Sequence, residues 1–251
     1  MIIYFETLGC SRNQVDSEIM MGRLTSAGHI LTDDPSRAGV ILVNTCGFIS
    51  TASQEAVDVI LYLARFKQEG CCERLIAAGC LAQRYKDDPA LASSLPEVDV
   101  FLGTGACDAV VEAVAGRPGK PVTLFPDPGR RGFQDLSQER VLTTGPYAYV
   151  KVSEGCNRGC AFCIIPTLRG RQRSRPLEEI CKEVSGLADR GVAEIILTAE
   201  NTTDYGRDTL GAACFETVLD PLAQILDNKP ETPWLRFLYT HPNTLSPEVI
   251  R

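Results

Sequence analysis

Short β-branched runs alternate with helical patterns along this chain, and in three successive units a cysteine stands just past the β-like run. Ile2–Thr7, Val40–Asn44 and Leu75–Ala78 read as strands, followed by Cys10, Cys46 and Cys80. Gln14–Ala27 carries Val15, Ile19 and Leu24 near one helical face, and Ser53–Phe66 carries Val57, Ile60, Leu61 and Ala64 in register. A helical stretch runs to about Leu91, and Val98–Leu102 with Asp108–Ala115 completes a fourth repeat. This repetition predicts a parallel sheet with right-handed crossovers. All three cysteines then lie at its carboxyl edge, where open α/β sheets bind ligands. Neighbouring strands sit about 4.8 Å apart, so three loops can converge on one small cofactor. Gly9, Gly47 and Gly79 beside the cysteines let backbone come close.

The chain holds 11 cysteines in 251 residues, an odd number that cannot all pair. Met1–Glu6 has no basic segment of a secretion signal, and a chain this long buries a core without disulfide staples. Three thiolates without a local His or fourth Cys fit an Fe–S cluster better than structural zinc, which takes four closed ligands. Lys and Arg number 25 against 32 Asp and Glu, a net charge of −7 that argues against a dedicated nucleic-acid binder. No apolar run approaches the roughly 20 residues of a membrane span. The expectation is a cytoplasmic protein with no membrane partner.

Residues 117–145 change character. Arg117-Pro118-Gly119-Lys120-Pro121 and Pro126-Asp127-Pro128-Gly129 form turns, and the β-like runs Val122–Phe125 and Val141–Thr144 suit a hairpin within a connection. A second alternation follows: strand Tyr147–Ser153, helix Leu177–Arg190 opened by Pro176, strand Glu194–Thr198, helix Phe215–Leu226, strand Trp234–Tyr239, and a helix start at Ser246-Pro247-Glu248. After its first strand stands Cys156-x3-Cys160-x2-Cys163. One loop thus offers three thiolates to one cluster and leaves one of four irons open for a ligand.

This loop resembles that of the radical S-adenosylmethionine (SAM) superfamily, where C-x3-C-x2-C follows the first strand of a βα barrel. The resemblance implies that SAM binds the open iron and is cleaved to a 5′-deoxyadenosyl radical. Phe162 matches the family's aromatic residue beside the third cysteine. Thr198-Ala199-Glu200-Asn201 matches the contact to the SAM amino group, with Glu200 where Gln is commoner; Thr198, Glu200 and Asn201 are the polar candidates.

With Cys10, Cys46 and Cys80 added, the chain resembles the methylthiotransferases, whose N-terminal domain holds an auxiliary 4Fe–4S cluster. The implied fold is α/β: an N-terminal parallel-sheet domain (1–116), a linker (117–145) and an incomplete radical-SAM (βα) barrel (146–251). Thr7-Leu8-Gly9-Cys10, Asn44-Thr45-Cys46-Gly47-Phe48-Ile49, Leu95-Pro96-Glu97-Val98-Asp99 and Thr202-Thr203-Asp204-Tyr205-Gly206 are more similar to the RimO type than to the tRNA enzymes. Ser11-Arg12-Asn13 departs from both, which show Gln-Met-Asn or Pro-Lys-Asn. The RimO type adds a methylthio group to the β-carbon of an aspartate in a small-subunit ribosomal protein. That implies two 4Fe–4S clusters, SAM and a reducing electron donor. The alternatives are a tRNA-adenosine methylthiotransferase, with tRNA as substrate, and a non-catalytic Fe–S protein fragment. The chain has fewer βα units than the family's barrel and no TRAM domain, so the expectation is the N-terminal portion of a longer enzyme.

No acid–base catalytic residue is assigned. Arg169–Arg175 reads equally as a steering patch or a solvated loop, and Asn13 and Asn44 equally as donors to cluster sulfurs or as caps. Cys71, Cys72, Cys107, Cys181 and Cys214 read as structural.

Overall fold

The computed structural model describes residues 1–116, 121–133 and 139–250; the turn cluster at 117–120 lies outside them. The chain forms two compact units, residues 1–132 with 139–141, and residues from 142 onward with Phe133.

The first unit is a parallel sheet of β1 (Ile2–Thr7), β2 (Ile30–Thr32), β3 (Val40–Thr45), β4 (Arg74–Gly79), β5 (Val100–Leu102) and β6 (Val122–Leu124), in the order β2-β1-β3-β4-β5-β6. Its helices are α1 (Ser11–Ser26), α2 (Ser50–Ala64), α3 (Phe66–Glu69), α4 (Cys80–Arg84), α5 (Leu91–Ser94) and α6 (Val110–Ala115). Every residue of β3 and β4 is buried, as parallel strands covered on both faces require. Alternation splits the core in two. Ile41, Val43, Leu75, Ala77 and Phe101 pack with Ala56, Ile60 and Leu63 of α2. Val40, Leu42, Ile76, Ala78 and Leu102 pack with Met20 and Leu24 of α1 and Val110 and Val114 of α6.

Four local expectations change. The first helix begins at Ser11, directly after Cys10. The stretch running to Leu91 breaks into α4 and α5 around Pro89, whose ring disfavours helix at the residue before it. Ile30–Thr32 is a short edge strand parallel to β1. The hairpin does not form among the described residues: β6 pairs with β5 in parallel, and residues 141–144 are not strand. The polar face of α1 is also covered. Asp16 takes Arg131 at 2.7 Å and Glu18 takes Arg140 at 3.4 Å, with Asp16, Glu18 and Arg140 buried and Arg131 only 9 % exposed.

The second unit contains β7 (Tyr147–Lys151), β8 (Ser153–Glu154), α7 (Ile165–Arg169), β9 (Arg173–Ser174), α8 (Leu177–Asp189), β10 (Glu194–Thr198), α9 (Arg207–Leu210), α10 (Glu216–Asp227), β11 (Trp234–Phe237) and α11 (Pro247–Ile250). Its main sheet runs β7-β10-β11, all parallel, so successive strands are spatial neighbours as in a βα barrel. Ile180, Val184 and Leu187 of α8 and Val218, Leu222 and Leu226 of α10 seal it. The expected strand Tyr147–Ser153 stops at Lys151. Ser153–Glu154 turns away to pair antiparallel with β9, which sequence periodicity had not marked. No described helix is long and apolar enough to cross a membrane.

Candidate metal centres

The strand order of the first unit reverses between β1 and β3. Loops leaving two such strands diverge to opposite faces and open a crevice at the carboxyl edge, the place where ligands bind in open α/β sheets. Cys10 follows β1, Cys46 follows β3, and Cys80 follows the next strand, β4. The ladder sets Thr7 against Asn44 and Thr45 against Gly79, so the three loops leave at one level. Cys10 caps α1 without spending its side chain on a cap bond. Cys10 and Cys46 are half-buried and Cys80 is buried.

Polar side chains tie these loops from beneath. Asn13 Nδ2 donates to the Leu8 carbonyl at 2.8 Å and the Thr45 carbonyl at 2.9 Å, and the Cys80 thiol donates to Asn13 Oδ1 at 3.8 Å. Asn44 Nδ2 donates to the Asn13 carbonyl and to Ser17 Oγ, each at 2.9 Å. Thr45 Oγ1 donates to the Ala78 carbonyl at 2.6 Å and accepts from Leu81 N–H at 3.2 Å. A Cβ at Gly9, Gly47 or Gly79 would meet Cys46 Cβ, Leu81 N or Thr45 O at 2.8 Å, so the close backbone approach expected of these glycines is present.

The second triad sits in a loop closed at its base. Cys156 N–H donates to the Gly170 carbonyl at 3.1 Å, and Gln172 N–H donates to Asn157 Oδ1 at 3.1 Å. Gly155 has φ of +75°, and a Cβ there would lie 2.6 Å from the Gly170 oxygen and against that of Arg171. Just before it, buried Glu154 takes Lys151 Nζ at 2.7 Å and Arg169 Nη1 at 3.1 Å. Cys156 and Cys163 are half-buried and Cys160 is exposed. Burial pushes the Cys156 thiol up; the Arg158 N–H donated to its sulfur at 3.4 Å opposes this, and Glu200 and Cys163 add to the rise.

Thr198 ends β10 opposite Lys151 of β7, and Val152 N–H donates to its carbonyl at 3.0 Å. The segment Thr198–Asn201 and the cysteine loop therefore leave the same edge of this sheet. Thr198 is fully buried. Asn201 is 8 % exposed: its Oδ1 accepts from Thr203 and Thr244, each at 3.4 Å, while its buried Nδ2 has no partner. Phe162 is 89 % exposed. The two ends of the basic stretch fit neither reading: Arg169 binds Glu154, and Arg175 binds Glu183 and Glu179, both arginines buried, while Arg171 between them is exposed. Arg175 stands just before α8, four residues ahead of Glu179, and that spacing is the signal in the sequence for this role.

Among the described residues no three His, Cys, Asp or Glu side chains converge as around a single metal ion. A cluster asks for something else, one thiolate per iron around a common crevice. Soft thiols and glycine-lined backbone in the first site, and a thiol loop beside the orphan Asn201 donor in the second, fit thiolate-held clusters and a polar ligand.

Residues 2–103 match the model of Uncharacterized protein family UPF0004, and residues 150–251 match that of the Radical SAM superfamily. The chain is 46% identical over 255 residues to the ribosomal protein uS12 methylthiotransferase RimO of Desulfosudis oleivorans, covering 100% of this chain and 56% of that protein. It is 43% identical to the protein of the same name from Myxococcus xanthus, covering 99% of this chain and 50% of that one. The chain thus spans about half the length of the curated relatives it matches. A solved structure of TsrM, a radical SAM methyltransferase from Kitasatospora setae, superposes with a TM-score of 0.64 at 14% identity, over 99% of this chain and 56% of that one; the likeness is one of fold. By these two matches and these relatives, the chain is similar along its length to radical SAM methylthiotransferases of the RimO type, of which it spans about half.

Proposed function

We propose that this chain carries the cofactor-holding part of an enzyme that adds a methylthio group to the β-carbon of an aspartate in a small-subunit ribosomal protein. The observation that carries the reading is the placement of Cys10, Cys46 and Cys80 after three neighbouring parallel strands, in a chain that also has the Cys156-x3-Cys160-x2-Cys163 loop. Cys156, Cys160 and Cys163 hold one 4Fe–4S cluster; Cys10, Cys46 and Cys80 hold a second.

Bound clusters and SAM supply one-electron chemistry, which an unactivated C–H needs because it offers no useful acidity to a general base. The chain's own residues bind and orient. The six thiols would bind iron as thiolates and release their protons to solvent, so cluster loading would fall at low pH. Glu154, locked between Lys151 and Arg169, fixes the base of the second loop. Asn201 Nδ2 donates to a polar group of SAM and so gains the partner it lacks within the chain. Thr198 and Glu200 frame that contact at the end of β10, and Phe162 offers an apolar face to the ligand. Clusters of this kind and a ribosomal substrate place the protein in the cytoplasm, served by a reducing electron donor.

The test is anaerobic reconstitution with iron and sulfide, then reduction in the presence of SAM with either a ribosomal-protein peptide or tRNA. The expected result is 5′-deoxyadenosine and a methylthio mass gain on the peptide. A gain on tRNA alone assigns the nucleic-acid substrate instead. Two loaded clusters without SAM cleavage leave an Fe–S scaffold.

A further inference from the structure

Asn13 lies three residues after Cys10 on α1 and is fully buried. Its amide has two N–H donors, and both are used: one on the carbonyl of Leu8, in the loop before Cys10, the other on the carbonyl of Thr45, next to Cys46. With both hydrogens engaged, the amide has one orientation, and Oδ1 faces Cys80, whose thiol donates to it at 3.8 Å. Its own backbone carbonyl is held by Asn44 Nδ2 at 2.9 Å. One side chain therefore touches all three cysteine loops, which come from different strands and share no local contact in sequence. A buried amide so fully satisfied is costly to disturb, because each lost bond strands a buried carbonyl.

We propose that Asn13 is a positioning residue for the first site: it sets the mutual spacing of Cys10, Cys46 and Cys80 by cross-linking their loops. The proposal rests on the reading of these cysteines as cluster ligands, and it goes beyond that reading in making their spacing depend on one residue that is itself no ligand. Thr45 is a lesser tie, joining only the Cys46 and Cys80 loops through the Ala78 carbonyl and Leu81 N–H. Asn13 therefore governs three loops and Thr45 two.

The test uses the full chain with Cys156, Cys160 and Cys163 replaced by alanine, so that the first site alone takes iron. Asn13→Asp is nearly isosteric but sets a carboxylate oxygen against two carbonyls. The parent holds roughly four irons; the variant's apparent affinity for iron is expected to fall about 10- to 100-fold, the loss typical of removing an outer-sphere partner, and with it the iron retained after desalting. The cluster that remains is expected to show a shifted electron paramagnetic resonance spectrum and midpoint potential. Amide hydrogen exchange of the metal-free chain supplies an arm independent of iron. Segments around Leu8–Cys10, Thr45–Gly47 and Cys80–Leu81 are expected to exchange faster together, with the interiors of β3 and β4 unchanged. Thr45→Val is expected to quicken only the last two.

An Asn13→Asp chain with the parent's iron content and spectrum overturns the proposal. So does exchange that rises evenly across the sheet, or a chain that no longer folds, since either makes Asn13 a core residue and nothing more. A parent that takes up no iron refutes the cluster reading instead, and the exchange arm then decides the proposal by itself.

Discussion

Cys10, Cys46 and Cys80 are delivered by three separate strands, whereas Cys156, Cys160 and Cys163 share one short loop. The first site is a product of tertiary structure. Its spacing comes from ladder register, from the strand-order reversal between β1 and β3, and from Asn13, Asn44 and Thr45 bonded across loops. The second is set by its own sequence spacing, with a pinch at Gly155 and Gly170 and the ion trio of Lys151, Glu154 and Arg169 at its base. A dispersed site fails when its scaffold shifts; a local one fails when its loop is opened. The difference also suits the two roles proposed. The local loop leaves from a sheet whose successive strands are neighbours, at the same edge as the Thr198–Asn201 segment, whose buried Asn201 Nδ2 is the donor proposed for SAM.

The largest effect expected is from the ligands themselves. Cys160→Ala is predicted to remove the iron of the second site and lower 5′-deoxyadenosine formation by more than about 100-fold, since even outer partners of a metal are worth up to that much. Cys46→Ala is predicted to empty the first site and leave SAM cleavage within about twofold, because the second site does not depend on it. Iron analysis and product assay of both variants check the separation; joint loss from either one would break the contrast.

Next come the ties. Glu154→Gln leaves Lys151 and Arg169 buried with their shared carboxylate gone, a loss of about 3 kcal/mol by the usual cost of breaking a buried ion pair. It should lower the melting temperature of the second unit and its cluster content, with the first site unchanged. Gly79→Ala and Gly155→Ala each force a side chain into positive φ, about 1–3 kcal/mol of strain. Gly79 ends central strand β4, so its variant should destabilise the first unit measurably by calorimetry. Gly155 sits at a loop base, so its variant should lose second-site iron with a smaller change in melting. Equal melting shifts from the two would erase the distinction between scaffold-set and loop-set sites.

The smallest effect concerns pH. Burial pushes the Tyr205 hydroxyl up to about 12, and it donates to the Arg175 carbonyl at 2.7 Å. Above pH 10 the unfolded chain releases this proton while the folded one retains it. The stabilisation is thus complete below pH 10 and is lost as pH rises through about 12. Tyr205→Phe should cost about 1 kcal/mol at neutral pH and flatten the fall in stability between pH 10 and 12, read by denaturant titration.

Much of this architecture is legible in the sequence where local pattern suffices. Val40–Asn44, Leu75–Ala78 and Glu194–Thr198 are short, largely apolar runs whose length reads as buried strand, and the spacing of Cys156, Cys160 and Cys163 declares its own loop. What was not legible depends on partners far along the chain. Nothing local to Asp16 and Glu18 marks them as buried; Arg131 and Arg140, more than a hundred residues later, pair with them. Val122–Leu124 looks like half of a hairpin because parallel pairing leaves no turn signal to read. Arg169 and Arg175 look like a basic patch until Glu154, Glu179 and Glu183 take them inside. Asn13 could be read as a cap or as a sulfur donor; only the folded loops show it bonded to two carbonyls and facing Cys80.

The central claim is that each triad holds its own 4Fe–4S cluster, and iron and sulfide counting after anaerobic reconstitution tests it most directly. The prediction is about eight irons and eight sulfides per chain, falling to about four of each in Cys46→Ala and likewise in Cys160→Ala. A wild-type chain that binds zinc without sulfide, or one that reaches only four irons and keeps them all in Cys46→Ala, would contradict it.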